Sequence, residues 1–265
     1  MPRGCFQVAM APEQQDIRAG VATAVARRRG RINYALSDPC CRSFGDLLDE
    51  TITESGARFI CDLGGGANPA LDLEYLSRQR AHCALLDISK SELDKAPNGY
   101  ERIVADIAAR DFRWKGAPFD LVFSRMLAEH VRSGEQFHRN VRALLRPGGY
   151  AVHCFPTLYA LPFVVNRLVP EHLADRALGW IQPRDRFQHA KFKAYYSWCR
   201  GPMRRQMARF EKVGFEVAEY RGLFGHPYFE HFAPLARWTR RRAERDLHRP
   251  RPRRTSYAFV VLRAA

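Results

Sequence analysis

Four short apolar runs, each ending in an acidic, glycine or serine residue, constrain this chain most. The segments between them have helical spacing, and strands that alternate with helices predict a parallel sheet with right-handed crossovers. The four predicted strands and their polar ends are 58–63 with Asp62 and Gly64, 82–86 with Asp87, 102–104 with Asp106, and 119–123 with Ser124. Because ligands bind at the carboxyl ends of such strands, near the switch in strand order, we expect one site here.

The first of these ends is the loop Asp62-Leu63-Gly64-Gly65-Gly66-Ala67-Asn68-Pro69. Gly64 and Gly66 fit a dinucleotide fingerprint, but its third position is Pro69, which opposes the close helix packing that a third glycine allows. A P-loop is excluded because no Gly-Lys-Ser/Thr follows. A carboxylate at Asp87 can accept both hydroxyls of a ribose, and Asp106 can accept from an adenine amino group. The pattern therefore predicts a pocket for an adenosine-bearing ligand.

Five segments, taken in order, resemble the class I S-adenosylmethionine-dependent methyltransferase family. They are Asp-Leu-Gly-Gly-Gly-Ala-Asn-Pro at 62–69, Leu-Leu-Asp-Ile-Ser at 85–89, Val-Ala-Asp-Ile at 104–107, Phe-Asp-Leu-Val-Phe-Ser at 119–124, and Leu-Leu-Arg-Pro-Gly-Gly at 144–149. The resemblance covers about residues 58–155 and, more loosely, the last two predicted strands. The run Ala67-Asn68-Pro69 departs from the usual form of the glycine loop, which leaves the individual backbone contacts open.

The resemblance implies a Rossmann-like α/β fold: a seven-stranded, mostly parallel sheet with helices on both faces and an antiparallel last strand. It implies S-adenosylmethionine as cofactor and assigns roles along the strand ends. The implied cofactor contacts are Asp62 near the amino group, Gly64, Gly65 and Gly66 through backbone, Asp87 on the ribose, Ile88 on the adenine, Asp106 and Ile107 at the adenine edge, and Ser124 beside the methionine part. Arg125 would lie beside the acceptor.

The alternation of predicted strands and helices, and the places where it stops, suggest how the rest of the chain is divided. We expect an N-terminal helical segment over 1–55 and a methyltransferase domain over 56–265. Within the domain, 156–201 is predicted to be a lid inserted after the fifth strand, and 222–255 a basic irregular insertion, partly helical and partly disordered. The lid carries Tyr195, Tyr196 and Trp198, which are predicted acceptor contacts, since such rings offer an apolar face and a polar tip. The alternative is that these rings anchor the lid.

Two residues after the fourth strand are candidates for proton transfer in catalysis. His130 could take a proton at neutral pH, and Glu129 precedes it. The alternative is that His130 packs on a helix or points to solvent. No ligand set for a metal stands out, so we expect none. The tetrapeptide Asn/Asp-Pro-Pro-Tyr is missing after the fourth strand, which disfavours methylation of planar amino groups in nucleic acids.

We therefore expect transfer of a methyl group to oxygen or carbon of a small-molecule acceptor, such as a lipid-, quinone- or sugar-like compound. Two alternatives stay open at this point: an RNA methyltransferase, suggested by the charge, and a cofactor-binding scaffold protein without catalysis.

The charge is strongly positive. Lys and Arg exceed Asp and Glu to give a formal net charge of +15, and nine Arg stand between 237 and 254 against Glu244 and Asp246. We interpret this as a solvated basic surface; the alternatives are nucleic acid, an anionic membrane surface in peripheral contact, or a phosphorylated substrate. The apolar run 158–169 could cover the site or touch a membrane. Without a secretory signal, a spanning run or paired cysteine motifs, the expected location is the cytoplasm.

Overall fold

The computed structural model describes residues 30–37, 42–158, 193–226 and 233–265. Within these ranges the chain forms one mixed sheet with helices packed around it. The strands are β1 (Arg31–Leu36), β2 (Phe59–Leu63), β3 (His82–Asp87), β4 (Glu101–Val104), β5 (Phe119–Arg125), β6 (Leu145–Pro156), β7 (Phe215–Phe224) and β8 (Tyr257–Ala264). The α-helices are α1 (Arg42–Ser55), α2 (Leu73–Gln79), α3 (Lys90–Leu93), α4 (Gly134–Leu144), α5 (Arg204–Lys212) and α6 (Ala233–His248), and 3₁₀ turns lie at Ala128–His130 and Pro252–Arg254.

The strand order of the sheet is β1-β7-β8-β6-β5-β2-β3-β4. From β2 the chain proceeds through β3 to β4 at one edge, and it then returns to β5 on the other side of β2. The switch in strand order therefore lies between β2 and β5, which pair in parallel. β8 is antiparallel to both of its neighbours, β6 and β7. The predicted Rossmann-like architecture with an antiparallel last strand is confirmed.

The strand count and the N-terminal segment need correction. The described sheet has eight strands rather than seven, because β1 adds a parallel strand beside β7. The range 1–55, predicted to be helical, therefore contains an edge strand before α1, whereas residues 1–29 lie outside the described residues. Asn33 fixes β1 further by donating from its side-chain amide to the Glu219 carboxylate at 3.0 Å. The described strand Arg31–Leu36 thus belongs to the sheet of the main domain.

Three of the helices begin where the sequence provides capping side chains. Asp72, Ser89 and Ser133 each accept a hydrogen bond from a backbone N–H in the first turn of α2, α3 and α4. The central strands are buried on both faces, as expected for a sheet covered by helices on each side. The largest fully buried side chains are Tyr220, Phe44, Phe123, Phe137, Phe155, Phe210, Phe215, Phe224, Phe259, Leu47, Leu48 and Ile52.

The two segments predicted to be insertions are described in part. Of the predicted lid over 156–201, residues 159–192 lie outside the described residues, and so does most of the apolar run 158–169. The predicted basic insertion over 222–255 begins with the end of β7 and contains α6, so much of it is regular rather than irregular. No helix among the described residues is long and apolar enough to cross a membrane.

Candidate functional site

The glycine loop turns sharply at the carboxyl end of β2. Gly64 has φ +73° and Gly66 has φ +42°, left-handed values that residues with a Cβ adopt at a cost. The Gly64 N–H donates to the Leu86 carbonyl at 2.8 Å, and the Asn68 N–H donates to the Gly65 carbonyl at 2.8 Å. The loop is therefore tied to β3 and closed by a turn of its own.

Asp62 lies beneath this loop and is almost fully buried. One of its carboxylate oxygens accepts from the Ala70 N–H at 3.0 Å. A Cβ at Gly65 would lie 2.7 Å from the Asp62 carboxyl group, so a side chain here would have to displace that carboxyl group. Burial raises the pKa of Asp62 to about 7, against the opposing effects of the Ala70 N–H and the positive charge of Arg125; the negative charge of Asp87 raises it further.

Asp87 ends β3 and faces the loop. Its Oδ1 accepts from the Ser89 N–H at 2.8 Å, which fixes the carboxylate in place. A Cβ at Gly66 would lie 3.2 Å from Asp87 Oδ2 and 3.2 Å from the Glu92 Cβ. Gly66 thus leaves open the space next to a fixed carboxylate oxygen, as a ligand with paired hydroxyls requires.

Apolar side chains flank this carboxylate. Ile88 is 63% exposed and Val104, at the end of β4, is 55% exposed. Two large aliphatic side chains exposed at neighbouring strand ends offer a surface for a flat ring. The sequence prediction included Ile88 but missed Val104, although an aliphatic residue at a strand end next to Asp106 was a usable signal.

Asp106 and Ile107 differ in what they can offer. Asp106 is exposed, and its Oδ1 accepts from the Ala108 N–H at 2.8 Å. Ile107 is buried in the core, and its carbonyl accepts from the Asn140 side chain at 2.7 Å. Asp106 and Ile107 therefore both stay predictions for the adenine edge, although the Ile107 side chain packs in the core.

Ser124 requires a correction. β5 continues to Arg125, so Ser124 lies inside the sheet, where its side chain is fully buried. Its Oγ is hydrogen-bonded to His153 Nδ1 at 2.8 Å. Burial, followed by the nearby His138, holds the pKa of His153 well below its usual value, so this buried pair is neutral at pH 7. The Ser124 side chain supports the sheet, and Arg125, which is exposed, is the residue of this strand end that faces solvent.

Glu129 and His130 lie in the 3₁₀ turn that follows β5. Glu129 is 3% exposed, and its Oε2 has no hydrogen-bond partner among the described residues. Burial raises the pKa of Glu129 to about 8. His130 Nδ1 is 3.2 Å from the Lys193 carbonyl, so Nδ1 carries the hydrogen in this contact and Nε2 is left as the basic nitrogen. Nε2 lies 3.7 Å from Glu129 Oε1. The structure therefore brings the two predicted proton-transfer residues together.

Residues 193–200 pack against this turn. The Tyr195 and Tyr196 N–H groups both donate to the Glu129 carbonyl, at 2.7 and 2.9 Å. Tyr195 is half-buried, and its hydroxyl accepts from Arg132 Nε at 3.0 Å. Its ring therefore remains near Glu129 and His130 as a candidate acceptor contact.

Tyr196 and Trp198 differ from Tyr195 in their surroundings. Tyr196 is buried, and both residues have left-handed φ values, +50° and +64°. Trp198 stacks on His138 with ring centroids 5.4 Å apart and covers Gly134, where a Cβ would lie 2.6 Å from the Trp198 Cβ. The Trp198 contacts favour the anchoring alternative for that ring, and burial of Tyr196 favours it for the other; their acceptor contact stays a prediction.

The residues of the glycine loop fit S-adenosylmethionine. The backbone of Gly64–Gly66 borders a space that a Cβ would fill, which we call the cofactor cradle. Asp87 presents a fixed carboxylate oxygen beside this space, and Asp62 supplies a buried acid below it. Each of these features matches one part of the cofactor: the methionine chain, the ribose and the amino group. The dinucleotide alternative, which needs a third glycine at Pro69, gains no support.

Comparisons with known proteins agree with this geometry. A family model described as a methyltransferase domain matches residues 20–220. A Mesorhizobium loti S-adenosylmethionine-dependent methyltransferase shares 18% identity and superposes with a TM-score of 0.50, covering 84% of this chain and 96% of the other. Haemonchus contortus phosphoethanolamine N-methyltransferase 2, solved with S-adenosyl-L-methionine, shares 14% identity with a TM-score of 0.50, covering 84% of this chain and 52% of the other.

A third similar structure is the [4+2]-cyclase SpnF, with 14% identity, a TM-score of 0.51, and coverage of 95% of this chain and 94% of the other. No curated protein matches the sequence. At these low identities the similar structures establish the fold alone. The family model, in addition, covers most of the chain. The protein therefore belongs to the methyltransferase-domain family, and its cofactor is S-adenosylmethionine.

Proposed function

We propose that this chain transfers the methyl group of S-adenosylmethionine to an oxygen or carbon atom of a small-molecule acceptor. When bound, the cofactor supplies a methyl group already activated by a sulfonium, so that positioning the acceptor accounts for much of the rate. The observation that carries the proposal is the pairing of Glu129 and His130 at the end of β5, beside the glycine loop at the end of β2.

The cofactor side of the site uses backbone and two carboxylates. Gly64–Gly66 let the main chain approach the ligand closely, and Asp87 accepts hydrogen bonds from the ribose hydroxyls. Asp62 would accept from the amino group of the methionine part, since a cation beside a buried acid favours its ionised form. Ile88 and Val104 provide apolar surface for the adenine, with Asp106 at its edge.

On the acceptor side, His130 is the residue best suited to remove a proton. The Lys193 carbonyl accepts the hydrogen on Nδ1, so Nε2 is the basic nitrogen that would act as a general base towards a hydroxyl or an acidic C–H. Glu129 is largely protonated near neutral pH because burial raises its pKa to about 8. Tyr195 borders the same space.

The fold alone does not decide the reaction, because one similar structure is a [4+2]-cyclase. A scaffold protein that binds the cofactor without turnover, and an RNA methyltransferase, are the other candidates to be separated. The test must therefore measure cofactor binding and methyl transfer independently.

The experiment uses S-adenosylhomocysteine as the binding probe and methyl-tritiated S-adenosylmethionine with fractionated small-molecule extracts for transfer. We expect label to enter a small-molecule fraction and not RNA. His130→Ala should abolish most of this transfer while leaving the Kd for S-adenosylhomocysteine unchanged. His82→Ala is the matched control, since His82 is exposed at the amino end of β3, away from the site.

Three outcomes would contradict the proposal. Transfer to RNA would favour the nucleic-acid alternative. Tight binding of S-adenosylhomocysteine without transfer to any fraction would favour a scaffold or another reaction. Full transfer by His130→Ala would remove His130 from the chemistry.

A further inference from the structure

Three of the arginines of α6 form one exposed row. Arg237, Arg241 and Arg245 are spaced four residues apart and therefore lie on the same face of the helix, while Trp238 and Arg249 flank that row. All five side chains are exposed, with Trp238 at 49%. We call these five residues the α6 arginine face.

The acidic residues of α6 do not neutralise this face. Asp246 is buried and accepts from Arg254 at 2.7 Å, and Glu244, which lies beside the row, pairs with Arg240 at 3.4 Å. In the described part of the chain, no carboxylate forms an ion pair with Arg237, Arg241 or Arg245. The face therefore keeps its positive charge.

α6 packs on β1 and β7, next to the carboxyl end of β7. Ala243 on its buried side lies against Gly225, where a Cβ would be 3.4 Å from the Ala243 Cβ. Because β8 is antiparallel to both β7 and β6, while β6 is parallel to β5, the strands β7 and β5 end at the same edge of the sheet. The α6 arginine face thus lies at the edge that carries the glycine loop.

We propose that the α6 arginine face docks this protein on membrane surfaces that contain anionic phospholipids. Arginine guanidinium groups match phosphate oxygens with two parallel hydrogen bonds, and an exposed tryptophan suits the level of the headgroups. A convex helix needs no groove to meet a planar surface. Binding of single-stranded nucleic acid instead uses a groove with repeated stacking rings, whereas this face offers one ring. The inference goes beyond methyl transfer and does not depend on the acceptor.

Flotation of the full chain with vesicles tests the proposal. We expect binding to vesicles of phosphatidylcholine with phosphatidylglycerol, and little binding to phosphatidylcholine alone. Each arginine should contribute about fivefold at such a surface, so the combined variant Arg237→Gln, Arg241→Gln, Arg245→Gln should bind roughly 100-fold less. Trp238→Ala should also lower binding.

The control variant removes the same charge elsewhere: Arg110→Gln, Arg113→Gln and Lys115→Gln, three exposed side chains between β4 and β5. It should bind the mixed vesicles like the unmodified chain. Equal loss in both triple variants, or no loss in the α6 variant, would overturn the proposal. Tighter binding of a mixed-sequence single-stranded RNA than of the vesicles, lost in the α6 variant, would make this face a nucleic-acid interface and would also refute membrane docking.

Discussion

Replacing Gly66 with alanine tests the cofactor cradle most directly. The new Cβ would meet Asp87 Oδ2 and the Glu92 Cβ, each at 3.2 Å, so that one of them must move by a few tenths of an ångström. The φ of +42° adds backbone strain of about 1–2 kcal/mol to the folded state. If the displaced Asp87 loses one charge-assisted hydrogen bond to the ribose, binding weakens by about 1.5–3 kcal/mol, which is about 10- to 150-fold in Kd.

Gly56→Ala provides the matched control. Gly56 follows α1 with φ +62°, and a Cβ there would meet nothing within 4 Å. Both variants should therefore lose similar stability in urea unfolding without ligand, but only Gly66→Ala should lose affinity for S-adenosylhomocysteine in a calorimetric titration. If folded Gly66→Ala binds as tightly as Gly56→Ala, the cradle is not where the cofactor binds.

Three further predictions concern single side chains. Asp87→Ala should weaken S-adenosylhomocysteine binding by about 1.5–3 kcal/mol in calorimetry, because the carboxylate that accepts from the ribose is lost. The control Asp94→Ala removes an exposed carboxylate of an ion pair and should leave this affinity unchanged. Unchanged affinity of Asp87→Ala would exclude Asp87 from the site. Ser124→Ala breaks the 2.8 Å buried hydrogen bond to His153 and should lower the free energy of unfolding by about 1–3 kcal/mol, with no change in affinity for S-adenosylhomocysteine. Weaker binding at unchanged stability would show that Ser124 does contact the ligand. Burial raises the pKa of Glu129 from 4.5 to about 8, so between these values the folded chain keeps a proton that the unfolded chain releases, and the free energy of unfolding falls as pH rises. In urea unfolding, Glu129→Gln should therefore gain stability relative to the unmodified chain as pH rises from 5 to 8. A difference between the two chains that does not change with pH would contradict the raised pKa.

Much of the fold could be predicted because local signals agree with it. Ser89 caps α3 as its position before a helical segment indicates, accepting from the Glu92 N–H at 3.3 Å. β1 was missed although the large apolar side chains Ile32, Tyr34 and Leu36 recur at every second position, which is a strand pattern. The basic run before it favoured a continued helix, and its partner β7 lies far along the chain.

The cofactor side of the site could be proposed from the sequence because glycines and carboxylates at strand ends have few other uses together. Ser124 was assigned to the ligand because the predicted strand stopped at Phe123. In the structure β5 extends to Arg125, and because side chains alternate between the two faces of a strand, Ser124 lies on the same face as buried Val122. The role of Trp198 depends on its packing against Gly134, a contact between residues far apart in sequence. No local pattern encodes such a contact.

The packing of Trp198 over Gly134 has a consequence for mutational surveys of this protein. The same short segment donates two backbone hydrogen bonds to Glu129, so a side chain inserted at Gly134 would push on Trp198 and shift the residues around the proposed general base. A large loss of turnover in a Gly134→Val variant would thus mimic the loss of a reacting group, although residue 134 itself meets neither cofactor nor acceptor. Activity scores at positions 134 and 198 should therefore be read together with abundance and thermal melting before any residue there is counted as part of the chemistry.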